Sequence, residues 1–138
     1  LVVGHYMNEN YFNNQKNNYA NDIFTGFVSN PTDLMQISDC VVLATKKETF
    51  GLVLIEAMKC GVCILGSNSG GPLEIIDDQK TGLLFESMNS DSLCEKLSLI
   101  IENEELKETL ALNGKIKANE FFDSKKQFEE IKNILERV

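Results

Sequence analysis

The sequence predicts an α/β protein, a parallel β-sheet flanked by helices and followed by a helical tail. Three observations carry that prediction. Short apolar runs occur without the polar alternation of a half-exposed strand, as expected where helices cover both faces of a sheet. These runs alternate with helical stretches, and beyond Phe85 the strands stop while helical periodicity continues. The chain has 138 residues, 43% of them apolar and 25% charged, which is the size of one compact domain with a closed core.

The elements follow in order. Leu1 to Val3, Ile23 to Val28, Cys40 to Ala44, Val62 to Leu65 and Gly82 to Phe85 read as strands. The helices between them fall near Asn8 to Asn18, Pro31 to Ser38, Gly51 to Cys60 and Pro72 to Asp77. Pro31 and Pro72 suit first-turn positions, where no amide is needed, and Gly61 suits the residue after a helix end. The segment from Asn8 to Asn21 is rich in Asn and poor in apolar residues, so its helix could be largely loop. Residues 91–138 form the helical C-terminal part. There Leu93, Leu97, Ile100 and Ile101 make one apolar stripe, and Leu106 and Leu110 begin another. A last helix carries Phe128, Ile131, Ile134 and Leu135, with Asp123 or Ser124 as its cap. The scattered Met and Phe residues read as core. No internal repeat or domain linker interrupts residues 1–138, which read as a single domain.

Charge narrows the function classes. A net charge of −8 disfavours nucleic acid and anionic membranes, both of which select clustered Lys and Arg. A phosphate ligand would have to be held by backbone amides. No apolar run approaches the roughly 20 residues that span a bilayer, and the chain reads as a soluble, cytoplasmic protein. The four cysteines are Cys40, Cys60, Cys63 and Cys94. Cys60 and Cys63 form a CxxC pair, but one that straddles a helix C-terminus and a strand entry. A redox CxxC lies at a helix N-terminus, where the dipole favours thiolate, so these read as buried free thiols.

The chemistry concentrates around Glu48 and Glu56, which have seven residues between them. Leu52 to Met58 is apolar except at Glu56, so the helix reads as buried, with one carboxylate turned inward that needs a partner in the protein or in a ligand. Gly51 opens this helix after a strand and a short loop. The free amides of Gly51, Leu52 and Val53 then make an anion site, and the missing Cβ lets a phosphate approach. Glu56 lies about 7 Å further along the axis at about 1.5 Å per residue. That distance suits a sugar attached to the phosphate, whose vicinal diol a carboxylate can bond through both hydroxyls. Glu48, at the mouth of the same edge, can reach the other side of the phosphate. Blander readings stay open: Gly51 as a turn residue, Glu56 paired with Lys59, and Glu48 as a solvated acid beside Lys46 and Lys47. Gly70 and Gly71, in a second glycine loop that opens the next helix, would form the other wall of a crevice. His5 could face that crevice but lacks a Ser or Cys partner, and Asp77-Asp78 reads as turn-forming. Neither GxGxxG nor GxxxxGK[ST] occurs, which disfavours hydride transfer and P-loop chemistry.

Five blocks in order carry a resemblance. Phe24-Thr25-Gly26-Phe27-Val28, Ser38-Asp39-Cys40-Val41-Val42-Leu43, Glu48 through Met58, Gly70-Gly71-Pro72-Leu73-Glu74-Ile75-Ile76 and Thr81-Gly82-Leu83-Leu84-Phe85 resemble the C-terminal, donor-binding domain of family 4 glycosyltransferases. The resemblance covers about residues 1–86. It implies the C-terminal half of a GT-B fold, a Rossmann-like domain that holds a nucleotide-diphosphate sugar. It also implies retaining transfer without a bound metal or other cofactor, to an acceptor that would be a glycan or a lipid-linked sugar. By the same analogy Glu48 contacts the donor sugar, the amides of Gly51, Leu52 and Val53 hold the diphosphate, Glu56 holds the ribose, and Gly26, Phe27 and Val28 lie against the base. The family's first strand, central in its sheet, and the basic residues after it have no counterpart. The chain is therefore expected to be part of a longer enzyme and inactive alone. An N-terminal GT-B domain of the same polypeptide would be its partner and would make any peripheral membrane contact. Other readings are a non-catalytic nucleotide-sugar-binding or interaction module, and a GT-B epimerase.

Overall fold

A computed structural model describes residues 1–3, 10, 13–14 and 21–136. The expected helix from Asn8 to Asn18 falls largely outside the described residues, and His5 lies outside them. The chain divides into two compact units, Leu1–Leu34 and Met35–Val138.

In the first unit, β1 (Val2–Val3) pairs in parallel with β2 (Phe24–Gly26), with an irregularity in register between Val2 and Val3. The expected strand from Ile23 to Val28 is shorter because Gly26 takes a left-handed φ of 66°, which ends the extended run, and Phe27 beyond it is 77% exposed. Helix α1 (Pro31–Gln36) follows, with Pro31 as its first residue, and its last two residues belong to the second unit.

The second unit holds a parallel sheet of order β3-β4-β5, formed by Cys40–Leu43, Cys63–Ser67 and Leu83–Phe85. Leu1 to Val3 is thus not the central strand of a continuous sheet: the described strands form two sheets, β1-β2 and β3-β4-β5. Strand β4 is central to the three and buried at every residue, as its unbroken apolar run predicted. Its side chains alternate between two cores. Ile64 packs on one face with Leu54, Ile55, Ala57 and Met58 of α2 (Leu52–Cys60) and with Ile75 of α3 (Pro72–Ile75). Cys63 and Leu65 pack on the other with Leu83, Phe85, Ile100 of α4 (Ser90–Glu102) and Leu110 of α5 (Glu104–Phe121).

Caps set the helix limits. Gly61, at φ 76°, ends α2 with its amide on the Met58 carbonyl, and the Asn89 side chain accepts the Asp91 and Ser92 amides to start α4. Two tail expectations fail. Ile101 is 77% exposed, because the buried stripe of α4 runs through Leu93, Leu97 and Ile100, and the next position turns away by 100°. In α6 (Ser124–Leu135) the stripe Phe128, Ile131, Ile134 and Leu135 has the expected helical spacing but is 57–69% exposed. The Met and Phe residues divide similarly, with Met35, Met58 and Phe85 in the core and Phe27, Met88, Phe121 and Phe128 exposed.

Candidate donor site at the carboxyl edge of the sheet

All three strands of the second unit run the same way, so the segments after β3, β4 and β5 leave from one edge, where ligands of open α/β sheets bind. The segment after β3 carries Glu48 and delivers the chain to Gly51. Gly51 is the N-cap of α2 at φ 96° and ψ 45°, with no side-chain cap. Its left-handed backbone favours glycine, and its carbonyl accepts the Leu54 amide at 2.9 Å. The amides of Gly51, Leu52 and Val53 have no partner among the described residues, as at a helix start; Gly51 itself is buried, Val53 half-buried and Leu52 exposed.

Glu48 is partly buried, and its carboxylate is held by the turn it sits on. Its Oε1 accepts the Phe50 amide at 3.3 Å, and its Cγ lies 3.5 Å from where a Cβ on Gly51 would stand. The acid is thereby fixed beside the opening of α2.

Glu56 overturns the expectation of an inward carboxylate. It is exposed, on a narrow stripe with Leu52 and Lys59, whereas Leu54, Ile55, Ala57 and Met58 face the core. The spacing of four and then three residues places these side chains on one helix face, and apolar Leu52, 63% exposed, disguised that face in the sequence. The Glu56–Lys59 pair does not form either: Lys59 Nζ donates instead to the Phe122 carbonyl at 2.9 Å. Glu56 therefore has a carboxylate open to solvent on the helix whose first turn carries the unpartnered amides.

The second glycine loop also differs from expectation. Gly70 and Gly71 do not leave a gap; they let two loops touch. A Cβ on Gly70 would collide with the Glu48 carbonyl oxygen, and one on Gly71 with the Phe50 carbonyl oxygen. The Gly71 amide donates to the Glu48 carbonyl at 3.0 Å and so is not open to a ligand. Two more bonds join the loops: Ser67 Oγ to the Thr45 carbonyl at 2.9 Å and Ser69 Oγ to the Lys46 carbonyl at 3.2 Å. Ser67, Ser69 and Gly71 alternate along the chain, so two hydroxyls and one main-chain amide prolong the β3–β4 pairing past the end of β3.

Sequence reasoning missed these serines, although their period of two after a strand was a usable signal. It also missed Phe122, which no motif marks. Its ring meets Phe50 edge to face at 6.4 Å and 79°, bracing the residue before Gly51 from the end of α5. Gly26, Phe27 and Val28 belong to the first unit. Asp77 and Asp78 form a turn as expected: Asp78 Oδ1 accepts the Leu84 amide at 2.8 Å, and Asp77 pairs with Lys117 at 2.9 Å. At the same edge Ala44, Thr45, Ser67, Phe85, Met88, Asn89, Ser90 and Leu93 line a cleft of about 220 Å³ that includes none of the proposed donor-binding residues. No described helix is long and apolar enough to cross a membrane.

An acid-flanked helix start at the carboxyl edge of a parallel sheet is the layout of a nucleotide-binding α/β domain. The chain belongs to the glycosyl transferases group 1 family, whose model matches residues 1–117. It is 35% identical over 104 residues to the N-acetyl-alpha-D-glucosaminyl L-malate synthase of Bacillus anthracis, a match covering 75% of this chain and 27% of that protein. Among solved structures it resembles Anabaena Alr3699/HepE in complex with UDP-glucose, at a TM-score of 0.88 and 26% identity over 99% of this chain and 40% of that one. It also resembles the C-terminal domain of a glycosyl transferase group 1 family protein (LpcC) from Francisella tularensis, at a TM-score of 0.72 and 27% identity over 84% of this chain and 63% of that one. These likenesses match the GT-B, Rossmann-like fold that the sequence blocks implied. The chain spans about a quarter of the length of the Bacillus relative.

Proposed function

We propose that this chain is the donor-binding part of a retaining glycosyltransferase that uses a nucleotide-diphosphate sugar. The observation that carries the reading is the start of α2, where Gly51 leaves the first amides without partners between two acids, one fixed by its own turn and one open to solvent. The amides of Gly51, Leu52 and Val53 would bind the diphosphate. As the bond from the sugar's anomeric carbon to the phosphate oxygen breaks, negative charge gathers on the leaving diphosphate, where preoriented amides are most effective. Glu48 would bond donor-sugar hydroxyls and Glu56 the ribose diol. The assignment of Gly26, Phe27 and Val28, which belong to the first unit, to the base rests on the resemblance. Gly70 and Gly71 act by holding the Glu48 loop rather than by touching the donor.

Support from the relatives is specific in one respect: the Anabaena protein, similar over 99% of this chain, was solved with UDP-glucose. The chain's share of its relatives' length supports assigning the acceptor side, a glycan or lipid-linked sugar, to further sequence of a longer enzyme. Retention of configuration and transfer without a metal rest on the resemblance alone, and a cytoplasmic setting rests on the sequence reading of apolar runs and free thiols.

Calorimetry with UDP and UDP-glucose tests the reading. Binding at a Kd of about 1 mM or tighter, weakened about tenfold by Glu56→Ala, is expected, equivalent to loss of about 1.4 kcal/mol. Wild-type affinity in Glu56→Ala would remove the ribose role, and no binding of either ligand would remove the donor site.

A further inference from the structure

The sequence pairs Cys60 with Cys63 by spacing, but the sheet pairs Cys63 with another thiol. Cys60 ends α2 and Cys63 begins β4, whereas the β3–β4 register places Cys40 directly opposite Cys63. Adjacent strands lie about 4.8 Å apart, inside the roughly 4.4–6.8 Å between Cα atoms that a disulfide spans. Both side chains pack in the same core, where the Cys40 Sγ also lies 3.8 Å from the Val41 carbonyl. Cys63 is 1% exposed and Cys40 is partly buried.

The surroundings favour one negative charge on the pair. Cys63 is shifted toward thiolate, chiefly by the hydrogen bond from Cys40, with help from the Lys107 ammonium and the Ile64 amide. Cys40 is correspondingly held protonated by that bond and by burial. Lys107 is fixed there by Asp39 at 3.1 Å and Glu104 at 2.9 Å.

We propose that Cys40 and Cys63 form a cross-strand dithiol that a hydroperoxide closes to a disulfide, joining β3 to β4 at the end of the sheet away from the donor loops. The Cys63 thiolate attacks the peroxide. The O–O bond breaks, sulfur is oxidised to the sulfenic acid, and the departing alkoxide or hydroxide takes a proton. The Cys40 thiol then attacks the sulfenic sulfur, forming S–S, and its proton joins the departing hydroxide, which leaves as water. Overall two thiols and one hydroperoxide give one disulfide, one alcohol (water when the oxidant is hydrogen peroxide) and one further water.

The test is brief treatment of the folded chain with hydrogen peroxide, followed by non-reducing peptide mapping with fragmentation that separates residues 60 and 63. A Cys40–Cys63 link is expected in the wild type and in Cys60→Ser/Cys94→Ser, with loss of two titratable thiols, and no intramolecular link in Cys40→Ser/Cys94→Ser. A Cys60–Cys63 link in the wild type, or conversion of single thiols to sulfinic acids without a link, overturns the proposal. The wild-type map decides the matter even where a variant fails to fold.

Discussion

At Gly51 a side chain is opposed by the backbone angle rather than by crowding. The nearest atoms to an added Cβ lie at 3.4 to 3.5 Å, an ordinary contact, whereas φ is 96°. Gly51→Ala is accordingly expected to cost about 1–2 kcal/mol in urea unfolding, the penalty for a left-handed alanine. Gly71→Ala should cost more, because its Cβ meets the rigid Phe50 carbonyl. Glu56→Ala should behave in the opposite way. The side chain is exposed and makes no ion pair among the described residues, so unfolding should move by less than about 0.5 kcal/mol while nucleotide binding weakens. A stability loss as large as that of the glycine variants would show that Glu56 holds the fold.

Helix α2 gives the clearest contrast between elements. Leu54→Ala should destabilise by about 2–5 kcal/mol because Leu54 is fully buried, whereas Leu52→Ala on the exposed stripe should stay within about 0.5 kcal/mol. Thermal or urea unfolding of the two variants checks the assignment of faces. Asn89→Ala removes the acceptor of two amides and should cost about 1 kcal/mol in the same assay. These elements were readable because their signals are local: a continuous apolar run for β4, Pro31 and Pro72 at helix starts, and Gly51 and Gly61 around α2. The orientation of Glu56 was less readable, because one exposed leucine makes a solvent-facing stripe look apolar. The contact of Phe122 with Phe50, and that of Cys40 with Cys63, depend on elements meeting in space, which no local pattern records. Exposed α6 failed for a related reason: periodicity states which residues share a face, and packing states whether anything covers it.

Across the second unit, protection should follow depth in the sheet. Amide exchange is expected to be slowest in β4, buried at every residue, and much faster in the exposed α6. Hydrogen–deuterium exchange read by peptide tests this, and comparable rates in β4 and α6 would contradict the layered core. The glycine loops were legible as paired turns at one edge, but their joining was not, since carbonyl contacts across two loops leave no mark on either segment alone. For the proposed donor site, that joining bears on how its preference can be altered. Because Gly70 and Gly71 pack on the backbone of Glu48 and Phe50, with Ser67 and Ser69 tied to Thr45 and Lys46, a new loop around Glu48 would arrive without the surface that shapes it. The smallest exchangeable cassette is therefore both stretches together, residues 44–51 and 67–72, and a chimera that moves only the acidic one should lose its shape before it gains a new preference.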